Sequence, residues 1–175
     1  MATPSPGSTL EGVETRPAGR RGVWSRRVVL VALTLFVGAG LLGLLGVRTA
    51  TTTRSVDGYT LTLEHATVAR AGLDVPFAVT VRHEGGFDEM ITLTVTGDYF
   101  DIYETQGFHP EPSKQVRDAD RLYLTFDAPQ GDVFRFSYDA YIQPASQQGR
   151  SGEVSLLTNA GSEQITIAFR TRLLP

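Results

Sequence analysis

An uncharged run of twenty residues, 28–47, constrains the fold of this chain more than any other feature. It reads VVLVALTLFVGAGLLGLLGV, and Thr34 is its only polar side chain. At about 1.5 Å per helical residue the run is roughly 30 Å long, which matches the hydrocarbon core of a bilayer. This length and composition predict a transmembrane helix over residues 28–47.

Positive charge is concentrated on the N-terminal side of this run. The arginines that we expect to set the orientation are Arg20, Arg21, Arg26 and Arg27. Fewer charges follow the run, where Arg48 and Arg54 are the nearest. Because segments rich in arginine and lysine stay in the cytoplasm, the N-terminus is predicted to be cytoplasmic. The rest of the chain is then exported, and the protein is a single-pass protein of the cell membrane.

A cleaved export signal is the alternative interpretation of the same segment. The run is longer than the roughly 7–15-residue apolar core of a signal peptide. Arg48 also occupies a position where cleavage after Ala50 would require a small residue. Residues 25–30 (SRRVVL) do resemble a twin-arginine signal. Cleavage and retention both export residues 48–175, so the choice between them stays open at this point.

Small residues recur along the apolar run. Ala32, Ala39 and Gly46 follow one another at intervals of seven, and Gly43 lies four residues after Ala39. Such a stripe lets two membrane helices approach closely, either with a larger membrane protein or with a second copy. The alternative is that glycine and alanine are simply common in membrane helices.

The charge of the chain changes sign after this run. Residues 1–47 carry a net charge of +3 and residues 48–175 a net charge of −6, which together make −3. A protein that binds nucleic acid needs a basic face, so nucleic acid is not an expected partner. Residues 1–27 are predicted to be a disordered basic tail and residues 48–56 a polar linker.

From residue 57 onward the apolar pattern has a period of two, which is typical of half-buried strands. The six clear runs are residues 59–63, 75–81, 91–95, 122–126, 134–140 and 165–169, with weaker candidates at 100–104 and 154–157. Turn residues such as glycine, proline and aspartate separate them. Residues 57–175 are therefore predicted to form an all-β domain of seven or eight antiparallel strands in two sheets.

Two segments of this domain carry a resemblance to a known class of modules. Residues 68–86 (VARAGLDVPFAVTVRHEGG) are similar to the opening of bacterial immunoglobulin-like modules of the adhesion-related and repeat types. Residues 121–142 (RLYLTFDAPQGDVFRFSYDAYI) resemble the strand, turn and strand that follow in those modules. The resemblance implies an immunoglobulin-like two-sheet sandwich, and such modules usually act as binding or spacer units.

The sequence contains no pattern that points to catalysis or to a cofactor. The chain has no cysteine, which excludes disulfides and thiolate chemistry. His65, His83 and His109 lack the spacing of metal ligands, and no nucleophile-elbow sequence is present. The acidic residues between 98 and 120 match no calcium loop. We therefore expect a protein that is not an enzyme and binds no cofactor or metal.

Residues 99–112 (YFDIYETQGFHPEP) form the segment richest in aromatic side chains. Tyr99, Phe100, Tyr103 and Phe108 either cap the core or form an exposed surface for a partner. The second interpretation predicts an accessory module that docks on another envelope or membrane protein. The alternative is a glycan- or wall-binding module that uses Tyr99, Phe100 and Tyr103 as a stacking platform. Self-association is a further arrangement consistent with the sequence.

Overall fold

The computed structural model describes residues 19–43, 46–87, 90–104, 107–157 and 163–174. The chain divides into two units, residues 1–45 and residues 46–175. The first unit contains helix α1, Arg20–Leu41. The second contains a 3-10 helix, Gly97–Ile102, and these described strands: β1 Arg48–Val56, β2 Tyr59–Arg70, β3 Asp74–Val75, β4 Phe77–His83, β5 Ile91–Thr96, β6 Phe108–His109, β7 Lys114–Asp118, β8 Arg121–Phe126, β9 Val133–Tyr138, β10 Ala140–Tyr141, β11 Ser151–Leu157, β12 Glu163–Arg170 and β13 Arg172–Leu174.

Helix α1 is long and apolar enough to cross a membrane. Thr34 is the only polar side chain in its apolar part, and the Thr34 hydroxyl donates a hydrogen bond to the carbonyl of Leu30 at 2.8 Å. The helix begins at Arg20, so the prediction of a disordered tail is wrong for residues 20–27. Residues 1–18 of that predicted tail lie outside the described residues.

The helix also ends earlier than the apolar run does. Gly43 adopts a left-handed conformation (φ 68°), and the amide of Leu42 donates to the carbonyl of Gly38 at 3.0 Å. A left-handed glycine is a common way to end a helix, because it has no side chain to oppose that conformation. Ala32 and Ala39 therefore lie on α1, whereas Gly43 and Gly46 lie beyond it. The prediction that all four small residues lie along one helix is therefore wrong for Gly43 and Gly46.

The prediction of a polar linker over residues 48–56 is also wrong, because these residues form β1. Strand β1 pairs with β2 along its length, and Asp57 and Gly58 connect the two strands. Both connecting residues have positive φ, as tight two-residue hairpins require. Hydroxyl pairs support the hairpin, for example Thr53 and Thr62 at 3.0 Å. The β domain therefore includes this strand.

The strands form two large sheets and one small one. The first sheet has the order β1-β2-β4-β9-β6, and β13 adds in parallel to the end of β2. The second sheet has the order β12-β11-β5-β8-β7, and β10 pairs with β3. Apart from β13, neighbouring strands are antiparallel. The prediction of an all-β antiparallel domain after an apolar helix is confirmed. The predicted number of seven or eight strands is too small, because the described residues form thirteen, several of them only two or three residues long.

The apolar faces of the two large sheets share one core. Phe126 of the second sheet lies 4.8 Å from Phe134 of the first between ring centroids, and Phe136 beside them is completely buried. The inward positions of all six predicted runs belong to this core. The weaker strand prediction at 154–157 falls within β11, but 100–104 overlaps the 3-10 helix instead.

The two lateral sides of the domain differ. On one side, which we call the closed side, β12 lies against β1. On the other, which we call the open side, the sheets end in β6 and β7, and the chain passes from β6 to β7 through residues 110–113. The 3-10 helix follows β5 and packs against β8 and β11. This open side contains the candidate functional site.

A candidate binding groove on the open side

The 3-10 helix places some side chains of the predicted aromatic segment, residues 99–112, in the core and others at a groove. Its amide at Gly97 donates to the carbonyl of Asp120 at 2.6 Å, which ties it to the turn between β7 and β8. Tyr99 and Ile102, three residues apart, are buried together with Tyr103. Residues three or four apart lie on one side of a helical turn, so this spacing turns one set of side chains inward.

Tyr99 and Tyr103 are both buried in the core, but Tyr103 also lines the groove described below. Their exposed fractions are 0% and 3%. The Tyr99 hydroxyl lies 2.6 Å from that of Tyr103 and 2.9 Å from Oγ1 of Thr171, which in turn donates to the carbonyl of Ala66. Burial raises the pKa of both tyrosines, so they stay neutral. The predicted partner-binding role is therefore wrong for Tyr99, which is completely buried, and stays a prediction for Tyr103.

Phe100 and Phe108, the other two predicted residues, are half-buried and line a groove. Their rings meet edge to face at 5.9 Å, and Phe100 meets Tyr138 in the same way at 4.9 Å. The groove has a volume of about 670 Å³. These three aromatic rings form its apolar floor.

The wall of the groove comes from β7 and is polar. Gln115 and Arg117 line the groove, and their cross-strand partners Leu124 and Leu122 are buried core residues. All five residues of β7 are exposed. The inward positions of this edge strand therefore carry an amide and a guanidinium where a core strand would carry apolar side chains.

Charged and amide groups stand at the rim. Arg117 Nη2 lies 3.5 Å from a carboxylate oxygen of Asp98 and 3.8 Å from one of Asp101. All three side chains are about half exposed, so these ion pairs add little to stability. Gln143 donates from Nε2 to the carbonyl of Tyr103 at 2.7 Å. An aromatic floor with such a rim suits a ligand that has an apolar anchor and polar flanks.

Sequence reasoning missed Gln115, Arg117, Tyr138 and Gln143. The prediction was confined to one segment, whereas the groove gathers residues from β7, β9 and the chain after β10. One signal was available, because alternation along KQVRD leaves Val116 as the only apolar residue of a strand-length segment. Such a pattern indicates an edge strand with polar side chains on both faces.

The three histidines lie apart from each other and from the groove. His83 stacks on Tyr59 with ring centroids 4.0 Å apart, and His109 lies 3.3 Å from a carboxylate oxygen of Asp139. His65 is buried, and its Nδ1 has no hydrogen-bond partner among the described residues. Burial lowers its pKa. Within the described ranges, no three acidic or histidine side chains are placed to hold a metal ion.

The residues predicted to set membrane topology all lie on α1. Arg20 and Arg21 open the helix, and Arg26 and Arg27 follow within two turns. The orientation that they imply remains a prediction.

Comparison with known proteins adds no family to this description. No protein-family model matches the chain, and no curated protein is significantly similar to it. The immunoglobulin-like resemblance of residues 68–86 and 121–142 therefore remains a prediction.

Proposed function

We propose that this chain is a non-enzymatic, single-pass membrane protein whose exported β domain binds another envelope or membrane protein. The observation that carries the proposal is the groove on the open side, where the core reaches the surface between the edges of two sheets. Phe100 and Phe108 offer apolar surface there, and Asp101, Gln115 and Arg117 surround it with polar groups. An apolar centre with a polar rim is the usual anatomy of a protein–protein interface.

The membrane part of the proposal depends on α1 and its arginines. A helix of this length and composition anchors the chain, and four arginines at its start favour a cytoplasmic N-terminus. The β domain is then outside the cytoplasm, and we infer that it is an immunoglobulin-like module. The antiparallel sheets with a shared core support that inference.

A protein partner suits the groove better than a glycan does. Sugars bind to the exposed faces of aromatic rings, and the proposed platform of Tyr99, Phe100 and Tyr103 has two members in the core. Phe100 itself packs against Phe77, Phe108 and Tyr138. The rings at the groove are thus packed against one another and do not form the predicted platform.

Site-specific photo-cross-linking of the full chain in its native membrane tests the proposal. A photoreactive residue in place of Asp101, at the groove rim, should yield a discrete adduct with one envelope or membrane protein. Asp127 is also exposed and follows β8 at the end away from the groove, so the same replacement there is the matched control. Equal adduct patterns from both positions would contradict the proposal, as would retention of the chain on isolated cell wall without any protein adduct.

A further inference from the structure

Strand β7 presents unused backbone hydrogen-bonding groups at the edge of the second sheet. Ala119 and Asp120 form a two-residue loop between β7 and β8, so Asp118 and Arg121 flank it as a pair. In such hairpins the flanking pair is hydrogen-bonded, and bonded pairs then alternate along the strands. Lys114, Val116 and Asp118 therefore bond to β8.

Gln115 and Arg117 direct their backbone N–H and C=O groups away from β8. None of the hydrogen bonds among the described residues uses these four groups. They have the spacing of a β ladder, and β7 contains no proline that would block pairing. The edge is therefore a template for one more antiparallel strand.

We propose that this strand is β7 of a second copy of the chain, related by a two-fold axis at Val116. Antiparallel pairing about that axis places Lys114 opposite Asp118 of the second copy, and Asp118 opposite the second copy's Lys114. Gln115 then faces Arg117 of the second copy, and their free backbone groups exchange hydrogen bonds on both sides of the axis. The strand is complementary to itself in charge as well as in backbone pattern.

The side chains on the outer face of β7 support the same register. Lys114, Val116 and Asp118 lie on one face of the strand and are exposed, Val116 at 42%. Pairing covers the two Val116 side chains with each other and forms two cross-strand ion pairs. The contact uses the backbone edge of β7 and not the aromatic floor, so it goes beyond the proposed function.

Strand β1, an edge of the first sheet, does not offer this complementarity. Strand β1 carries Arg48 and Arg54 and no acidic residue, so two paired copies would bring four positive charges together. It also lies against β12 of the opposite sheet. Among these two edges, β7 is the one suited to a second copy.

Disulfide cross-linking tests the axis directly, because the natural chain has no cysteine. At a non-hydrogen-bonded antiparallel pair the Cα atoms are about 4.5 Å apart, which is within the range that a disulfide spans. The full chain with Val116→Cys, oxidised mildly in its membrane, should give a species of twice the monomer mass. Val133→Cys is the matched control, since Val133 is equally exposed (43%) but lies on β9 of the other sheet.

Two further changes to the Val116→Cys chain decide whether the contact is a β ladder. Gln115→Pro removes an N–H that faces away from β8, which an edge strand tolerates, and should abolish the cross-link. Lys114→Glu alone should weaken the cross-link by like-charge repulsion, and adding Asp118→Lys should restore it. Protease resistance of the β domain shows whether each variant is folded. If the Gln115→Pro variant is unfolded, the charge exchange between Lys114 and Asp118 alone decides whether the contact is a β ladder.

The proposal is overturned if Val116→Cys gives no more dimer than Val133→Cys does, or if charge exchange fails to restore the cross-link. An adduct with a different protein at Val116 would also overturn it, because a foreign strand would then occupy the edge. The proposed function is tested separately by a heterologous adduct at Asp101, so either proposal can fail while the other stands.

Discussion

On the closed side of the β domain the apolar inward side chains continue to the last strand, because Ile165, Ile167 and Phe169 of β12 are buried. On the open side the inward positions of the last strand are Gln115 and Arg117, which border a groove. The core thus reaches the edge of the second sheet on one side and stops one strand short of it on the other. This difference leaves a groove on the open side, where we place the proposed binding site.

Close backbone packing marks the closed side as well. The amide of Thr171, between β12 and β13, donates to the carbonyl of Arg150 at 2.9 Å. A Cβ atom on the neighbouring Gly149 would lie 1.9 Å from the carbonyl oxygen of Thr171, so only glycine allows the two chain segments to approach this closely. The open side instead has a groove with a volume of about 670 Å³.

Truncating an aromatic residue of the shared core should cause the largest loss of stability. Comparison with a truncation at the groove should distinguish residues of the core from residues of the groove. Phe136 is completely buried among Phe77, Phe108 and Phe126, so Phe136→Ala should lower the free energy of unfolding by about 3–5 kcal/mol. Phe100→Ala, at the half-buried groove floor, should cost less than about 2 kcal/mol. Urea unfolding of the full chain in mild detergent, followed by pulse proteolysis, measures both. A loss below about 1 kcal/mol for Phe136→Ala would mean that the assigned inward register is wrong.

The sequence predicted the strands of the core well because burial of one face leaves a period of two in apolar residues. Ile91, Leu93 and Val95 are an example, since all three are buried as their alternation predicts. Strand β1 was missed because RTATTTRSV has hydroxyl groups on both faces and no apolar alternation. Its threonines have high strand propensity, but only pairing with β2 makes the segment a strand.

The groove could be predicted only in part, because its residues are distant in the sequence. Phe100 and Phe108 were found from local aromatic density, which says nothing about which ring faces inward. The helical turn decided that, since it buries Tyr99 and leaves Phe100 at the groove. Arg117 lies at the groove because β7 pairs with β8 in the observed register. That register is set by the type and length of the loop between the two strands.

The buried hydroxyl network of Tyr99, Tyr103 and Thr171 should give the next largest change in stability. Thr171→Val removes the group that donates to the carbonyl of Ala66 and contacts the Tyr99 hydroxyl, so buried polar atoms lose a partner. We expect a loss of about 1–3 kcal/mol in the free energy of unfolding. Thr92→Val is the control, since its hydroxyl pairs with that of Thr125 on a part-exposed face and should change stability by less than about 0.5 kcal/mol. Equal losses for the two variants would contradict a special contribution of the buried network to stability.

Acid should act through His65, which is buried on β2 and lies 5.2 Å from Phe169 of β12 between ring centroids. Burial lowers its pKa in the folded state, so the unfolded chain binds the proton more readily. The stabilising contribution is complete above the unfolded pKa of about 6.5 and is lost as the pH falls below it, by at most about 1.4 kcal/mol per pH unit. Urea midpoints of wild type and His65→Phe between pH 7.5 and about 5 test this. A pH slope that survives the substitution would assign the effect to other groups.

The smallest predicted effect concerns the hairpin that supports the open side. Ala119 has a φ of 48°, a left-handed conformation that opposes its Cβ atom, whereas glycine adopts it readily. Ala119→Gly should therefore raise the free energy of unfolding by about 0.5–1 kcal/mol, because relief of this conformation exceeds the added flexibility of the unfolded chain. Gly131→Ala is the reverse control: its φ is 82°, no atom would contact the new Cβ within 4 Å, and stability should fall by about 1 kcal/mol. If both substitutions destabilise the chain, the Ala119 methyl group contributes contacts that outweigh its backbone conformation, and the β7–β8 turn is better packed than the open side implies.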